Sequence, residues 1–399
     1  MKFYLPAQNG ETVLKHLSEV PTLTPFHETV LSFIQALSKR FVQLRQYPEA
    51  VALGFWMRKA NIAALQQQWE QVTGQCVIKA RGTVFHIAPS NVDTIFVYSW
   101  ILSLLAGNRN MIRVSSKQQA QQNILLQAIV DELSNPHFQE LAERNVVFTY
   151  EHHDQTTAEL SMLSHVRVVW GGDETVDAIR RVPLAPMASE LVFPDRFSMS
   201  LIHAQAMDML NDQALQQLAE QFYNDAYWFD QLACSSPRLV VWEGKADQIE
   251  RAQMRFWQML EQVIRSKTIE LAPAVQVQKL TTSMLLASQN DTIKASHGMW
   301  YSRVLVDQLG DDIRERHCGG GFFVEKLIRD LSELSRIIVD KDQTLTYFGY
   351  SKDQLLQLIN QIGSRGIDRV VPIGKALDFQ ETWDGQSFLR SFTREIVII

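Results

Sequence analysis

The sequence predicts an α/β protein made of two doubly wound, Rossmann-like domains with a β-rich C-terminal tail, and three observations predict it. From Lys79 onward, short apolar runs alternate with helical patterns, as parallel sheets with crossover helices require. The alternation breaks after S-M-S-L-I-H and restarts near residue 210, and 399 residues exceed what one hydrophobic core usually holds.

Residues 25 to 70 read as helices, because Val30, Phe33, Ile34, Leu37 and Phe41 recur at helical spacing and the Gln-rich A-A-L-Q-Q-Q-W-E continues the pattern. R-G-T-V-F-H-I-A-P is then a strand closed by Pro89, followed by an apolar helix from Thr94 to Ala106 that ends at Gly107-Asn108. Next come M-I-R-V-S-S as a strand, a helix from Gln118 to Leu133, the strand V-V-F-T-Y, a polar helix, and the strand V-R-V-V-W ending in Gly171-Gly172. The second domain starts with a helix from Leu210 to Tyr227. It continues with a loop holding D-Q-L-A-C-S-S-P, the strand R-L-V-V-W and a long helix from Ala246 to Ser266.

These breaks give a helical lead-in at 1–78 packed on the first domain, α/β domains at 79–205 and 206–365, and a return segment with an oligomerisation tail at 366–399. The end, S-F-L-R-S-F-T-R-E-I-V-I-I, has no sequence-adjacent partner strand, so pairing with another subunit in a homo-oligomer is expected. In doubly wound sheets, sites lie where strand carboxyl ends lead into helix N-termini. The loops after Ile87, Val114 and Trp170 are the places that rule selects.

A formal charge of -6 and a pI near 6.0 offer no global attraction to nucleic acid or anionic lipid. The opening M-K-F-Y-L-P-A-Q-N-G-E lacks a signal-peptide apolar core, and no apolar run reaches membrane-spanning length. A cytoplasmic protein is expected. Cysteines 76, 234 and 318 are odd in number and widely spaced, which fits reduced thiols better than disulfides or a zinc site, and no metal is expected.

Cys234 lies between a helix and a strand, with Gln231 three residues before it. A partly ionised thiol is the strongest side-chain nucleophile at neutral pH; by position alone, a lone cysteine is more often a buried, inert one. Asn91 follows Pro89-Ser90 and has an amide suited to an oxyanion, or equally to an Asx turn or helix cap. His86, inside an apolar strand, reads as a satisfied core histidine, and His317 stands before Gly319-Gly320-Gly321, a flexible hinge or substrate-contacting turn. No G-x-G-x-x-G follows a strand; only W-G-G-D-E-T-V-D offers two glycines before a helix, with Asp173 read as its cap.

Taken together, R-G-T-V-F-H-I-A-P-S-N, L-L-A-G-N-R-N-M-I-R-V-S, W-G-G-D and D-Q-L-A-C-S-S-P resemble the aldehyde dehydrogenase superfamily in order and spacing. G-I-D-R-V-V-P-I-G-K-A-L-D-F and T-W-D-G resemble its LuxC-type acyl-CoA and acyl-protein (fatty acid) reductases, and the likeness covers residues 80 to 399. The resemblance implies that 79–205 binds NAD(P) and that 206–365 carries the catalytic thiol. It makes Cys234 the nucleophile, with Gln231 matching the family's G-Q-x-C although Asp230 stands where Gly is usual, and it makes Asn91 the oxyanion donor. It places Arg113 at the cofactor's adenosine ribose, with Ser115 beside it, and Gly171 and Gly172 at the pyrophosphate turn.

Glu190 in S-E-L-V-F-P-D occupies a place like the general base of hydrolytic aldehyde dehydrogenases, but the Gly-Gly-Lys that should follow it is missing. A thioester reductase needs no water-activating base, so the implied chemistry is reduction of an acyl thioester, from acyl-CoA or an acyl-carrier or acyl-activating protein, to the aldehyde. Arg113 in place of Lys suits a 2′-phosphate, so NADPH is the expected cofactor, with NADH the other candidate. The rival readings are oxidation of an aldehyde with Glu190 activating water, cysteine acyl transfer without redox, and a non-catalytic scaffold. Trp228-Phe229, Trp300-Tyr301 and Phe322-Phe323 are candidate walls for a long acyl chain, or core.

Overall fold

The computed structural model describes residues 1–398 apart from 75, 90–93, 118–119, 152–153, 268–271 and 289–291. Within it the chain forms two compact units, residues 1–195 with 378–399, and residues 196–377.

The strands of the first unit's first pass are β1 (Lys2–Leu5), β2 (Val77–Ala80), β3 (Thr83–Ile87), β4 (Arg109–Arg113), β5 (Asn145–Thr149), β6 (Val166–Trp170) and β7 (Ser189–Phe193). Six of them form a sheet in the order β1-β5-β4-β3-β6-β7, parallel except for β1, which runs antiparallel on β5. Helices Ile95–Leu105, Ala120–Leu133, Asp154–Met162 and Asp173–Arg180 supply the crossovers. Strands β3, β5 and β6 are buried along their whole length, as near-continuous apolar runs covered on both faces should be. The order reverses at β3, which has β4 on one side and β6 on the other, so this unit has a topological switch point beside β3.

Helix Glu28–Phe41 buries Val30, Phe33, Ile34, Leu37 and Phe41, the stripe that the sequence spacing predicts. Phe33 meets Trp100 of the first crossover helix edge-on, with ring centroids 5.7 Å apart. Burying an aromatic or branched side chain of this size contributes about 2 kcal/mol, so the stripe holds the lead-in to its unit.

The second unit contains β8 (Phe197–His203), β9 (Pro237–Glu243), β10 (Thr292–His297), β11 (Ser302–Val306), β12 (Phe322–Ile328), β13 (Asp342–Phe348) and β14 (Arg369–Pro372). They form one sheet in the order β10-β11-β12-β9-β8-β13-β14, parallel except where β10 pairs with β11. Helices Asp212–Tyr227 and Ala246–Ser266 bury Phe222, Phe256 and Trp257 on this sheet, with Phe222 and Phe256 edge-on at 5.1 Å.

Three features differ from the sequence expectation. The division falls at 195/196 rather than 205/206, because β8 hydrogen-bonds between β9 and β13 and so belongs to the second sheet. The return to the first unit comes at 378 rather than 366, because β14 extends the second sheet beside β13. The tail, with β15 (Thr382–Trp383), β16 (Gln386–Ser387) and β17 (Thr393–Ile396), finds its partner inside the chain: β17 pairs antiparallel with β2. Among the described residues no helix is long and apolar enough to cross a membrane.

Candidate active site

Helix Asp212–Tyr227 ends in a turn in which Phe229, Asp230 and Gln231 all adopt left-handed conformations, with φ of 55°, 53° and 63°. Each such residue without glycine's freedom costs on the order of 1 kcal/mol, so the turn exists only because its surroundings hold it. Gln231 is the holder. Its Nε2 donates to the carbonyls of Pro237 (2.9 Å) and Phe322 (3.0 Å), and its Oε1 accepts the N–H groups of Gly321 (2.9 Å) and Phe322 (3.0 Å). All four bonds are buried, and the Gly320 N–H adds a fifth tie, to the Asp230 carbonyl at 2.9 Å.

The triple glycine explains itself against this turn. Gly319, Gly320 and Gly321 have φ of +70°, +62° and +80°, and a Cβ on Gly319 would lie 2.6 Å from the Asp230 carbonyl oxygen. A Cβ on Gly321 would lie 2.5 Å from the Trp300 carbonyl oxygen. The segment is thus a close-packed brace against the turn before Cys234, not the flexible hinge that its composition suggests.

Cys234 follows this turn, partly exposed and three residues ahead of β9. Its carbonyl accepts from Ser198 Oγ at 2.6 Å, and the same Ser198 oxygen accepts the Thr344 N–H at 3.2 Å. Its Sγ accepts from Gln343 Nε2 at 3.6 Å, within hydrogen-bonding range for sulfur. Ser198 and Gln343 lie at the starts of β8 and β13, the strands that follow β9 in the sheet. The thiol thus sits at the amino-terminal edge of the second sheet.

The other thiols differ. Cys76 is exposed just before β2, and burial pushes the Cys318 thiol up. His317 is half-buried, and desolvation followed by the nearby Arg238 guanidinium holds its imidazole well below its ordinary value, so it is neutral at physiological pH. Phe322 and Phe323 are fully buried in the sheet's core. Trp300 and Tyr301 pack against that core.

In the first unit, Arg113 closes β4 and lays its guanidinium over the Tyr150 ring, 4.7 Å from the centroid. Its Nη2 reaches the Tyr150 carbonyl at 3.5 Å, while its buried Nε has no hydrogen-bond partner among the described residues. Ser115 Oγ accepts the Lys117 N–H at 3.2 Å. Gly171 and Gly172 follow β6. A Cβ on Gly171 would press Thr175 at 3.0 Å, whereas one on Gly172 would meet nothing within 4 Å. Gly172, not Asp173, is the N-cap of helix Asp173–Arg180; Asp173 is its first helical residue, and its carboxylate accepts the Asp195 N–H at 3.1 Å. Asn91 lies outside the described residues.

Two further polar residues are engaged by their neighbours. Glu190, on β7 opposite Arg167 of β6, receives Arg167 Nε and Nη2 on Oε1 at 2.7 and 2.6 Å and Arg180 Nε on Oε2 at 3.3 Å. Arg167 is itself 2% exposed and also donates to Ser161 and Val182, so the carboxylate closes a buried polar network. His86 is fully buried, its Nε2 donating to Asn110 Oδ1 at 3.1 Å and its Nδ1 accepting from Ser99 Oγ at 2.8 Å, and burial lowers its pKa to about 4. It is the satisfied core histidine that its strand position suggests.

Ser198 and Gln343 had no signal in the sequence, since they meet the thiol only through the order of strands in the sheet. Solved structures share this architecture. A NAD-dependent benzaldehyde dehydrogenase from Corynebacterium glutamicum matches with a TM-score of 0.66 at 14% identity, over 97% of this chain and 88% of that one. An aldehyde dehydrogenase from Physcomitrella patens, solved with the reaction product succinate, matches with a TM-score of 0.70 at 9% identity, over 97% and 90% of the two chains. A glyceraldehyde-3-phosphate dehydrogenase from Methanocaldococcus jannaschii, complexed with NADP, matches with a TM-score of 0.67 at 9% identity, over 98% and 93%. At such identities the likeness shows the fold, which is that of the aldehyde dehydrogenases. No curated protein sequence matches significantly. Residues 13–395 match the family model described as acyl-CoA reductase (LuxC).

Proposed function

Since the chain belongs to the LuxC acyl-CoA reductase family, and is thereby an oxidoreductase acting on acyl or aldehyde groups, we propose that it reduces an acyl thioester to the aldehyde with NADPH through an acyl group held on Cys234. The observation that carries this reading is the setting of Cys234: a partly exposed sulfur, fixed in place by a strained and fully hydrogen-bonded turn, with an amide N–H directed at it. Such a turn stores free energy that an inert core thiol would not require.

The Cys234 thiolate attacks the thioester carbonyl carbon, forming a carbon–sulfur bond and an oxyanion. The oxyanion then re-forms the carbonyl and breaks the bond to the donor's sulfur, which departs as a thiolate of CoA or of a carrier or acyl-activating protein. Asn91 and the Cys234 N–H are the donors we assign to that oxyanion. When bound, a reduced nicotinamide would supply a hydride to the acyl carbon, giving a thiohemiacetal oxyanion on Cys234. That species loses the Cys234 thiolate and releases the aldehyde, leaving the enzyme as it began.

Arg113, Ser115, Gly171 and Gly172 fit a phosphate-bearing nucleotide. Gly172 precedes a helix N-terminus and has open space where a Cβ would stand, and Arg113, at the carboxyl end of a parallel strand, has a buried Nε without a partner among the described residues. A bidentate guanidinium suits the 2′-phosphate of NADPH. We assign Glu190 a structural role. Its carboxylate is occupied by Arg167 and Arg180, which leaves its oxygens engaged in the fold rather than turned to a water, and this weighs against the oxidative direction.

The test is intact-mass spectrometry after mixing with acyl-CoA of several chain lengths without nucleotide. The wild type should gain one acyl group and Cys234→Ala none, and NADPH oxidation should follow the same chain-length order. An acyl adduct that persists on the Cys234→Ala protein overturns the proposal.

A further inference from the structure

We propose that Gln343 is a catalytic residue of this site, a built-in N–H donor that stabilises the Cys234 thiolate, both when it attacks and when it is expelled as the aldehyde leaves. This rests on the reading of Cys234 as acyl carrier. Gln343 is 2% exposed, and its Nε2 lies 3.6 Å from Cys234 Sγ, the reacting atom. Its orientation is set from the other side: its Oε1 accepts from Thr344 Oγ1 at 3.2 Å, which turns the N–H end toward the sulfur.

The distance is fixed at both ends. Ser198 Oγ ties the Cys234 carbonyl (2.6 Å) to the Thr344 N–H (3.2 Å), so the thiol's backbone and the strand bearing Gln343 share one anchor. One residue before Gln343, the buried Asp342 carboxylate takes a two-pronged pair of bonds from Arg314, both at 2.8 Å, and pins the start of β13. A side chain held in this way loses little entropy when it donates, unlike a free surface amide.

Helix Asp212–Tyr227 points its C-terminal, partially negative end at the thiol loop, which disfavours an anion there. The charged groups on the neighbouring elements are engaged or neutral: Asp342 is paired with Arg314, Arg196 with Asp368, Arg238 donates to the Arg196 carbonyl, and His317 is neutral. The Gln343 N–H directed at the sulfur acts against that helix end, since a hydrogen bond to the charged form favours that form.

The experiment follows carbamidomethylation of the Cys234 peptide by iodoacetamide across pH, in the full-length wild type and in Gln343→Leu and Gln343→Glu. Gln343→Leu should move the midpoint up by about one pH unit, a roughly tenfold loss of thiolate at neutral pH, with the high-pH plateau rate unchanged. Gln343→Glu, which sets an acceptor and a charge against the sulfur, should move it further. An unchanged midpoint in Gln343→Leu overturns the inference. Should that variant not fold, Thr344→Val, which removes the hydroxyl that orients the amide, decides the question: a smaller upward shift supports it and none overturns it. The acyl-carrier reading fails separately, by an adduct on Cys234→Ala, whatever the thiol midpoints show.

Discussion

The two units carry their candidate residues at opposite ends of their strands. In the first, Arg113, Ser115, Gly171 and Gly172 stand at or just beyond the carboxyl ends of β4 and β6, where parallel strands run into helix N-termini and backbone N–H groups face outward. In the second, Cys234 precedes β9, and Ser198, Gln343 and Phe322 stand at the amino ends of β8, β13 and β12. The first location suits a phosphate with little special construction, since helix dipoles already favour an anion there. The second receives helix C-termini instead, so an anionic sulfur needs its own donors and a turn forced into place. That is why the first unit's candidates need few contacts of their own, while the turn before Cys234 holds three left-handed residues and a braced triple glycine.

The largest effect expected from this contrast is at Gln231. Gln231→Leu keeps the volume but removes the side-chain partner of the carbonyls of Pro237 and Phe322 and of the Gly321 N–H, all buried, while the Phe322 N–H keeps its bond to the Gly319 carbonyl. Unsatisfied buried groups cost about 1 kcal/mol or more each, so a destabilisation of about 3 kcal/mol or slightly more is expected by urea titration. Acylation of Cys234 should fall at least about a hundredfold, as expected when a preorganised nucleophile is misplaced. A Gln231→Leu protein with near-normal stability and acylation would mean that the turn holds itself, and the contrast between the units would lose its basis.

Much of this was legible in the sequence, and the rest was hidden for definable reasons. Helices Glu28–Phe41 and Ala246–Ser266 follow from periodicity, and β3 through β6 from their apolar runs, because these are local signals. Cys234 gained weight from its order relative to Arg113 and Gly171-Gly172. The unit boundary was misplaced because S-M-S-L-I-H reads as a buried strand in either sheet, and only pairing with β9 and β13 decides its membership. Gln343 is 109 residues from Cys234 and β17 lies at the far end of the chain from β2, so neither contact has a local signature. The brace of Gly319 to Gly321 was read as freedom, since a glycine run looks the same whether it moves or accepts a neighbour's backbone.

A second expected effect, of intermediate size, separates the stability of the first unit from the state of the thiol in the second. His86 titrates near pH 4 in the folded protein, and an unperturbed imidazole near 6.5. Between those values the unfolded chain binds a proton that the folded chain refuses. The contribution is therefore fully present above pH 6.5 and is lost as pH falls toward 4, by about 3 kcal/mol. Urea titrations of wild type and His86→Gln across this range should show the variant's stability falling less steeply with acid. Parallel slopes would show that His86 does not control the acid sensitivity of its unit.

The smallest effect, and the most discriminating for the first unit, is at Arg113. Its stacking on Tyr150 leaves the guanidinium fork at a strand's carboxyl end, and among the described residues its one hydrogen bond is the 3.5 Å contact to the Tyr150 carbonyl, so removing it disturbs little of the fold. If the fork grips a 2′-phosphate, Arg113→Ala should lower kcat/KM with NADPH by tenfold or slightly more, the worth of about one charge-assisted hydrogen bond, and change NADH little. Tyr150→Leu, which removes the ring that holds the guanidinium, should move the same ratio by less. An equal loss with both nucleotides would place Arg113 on a group that the two share, such as the ribose or pyrophosphate. An unchanged ratio and rate would leave this strand end without a role in binding, and the carboxyl-end rule for the first unit would then rest on Gly171 and Gly172 alone.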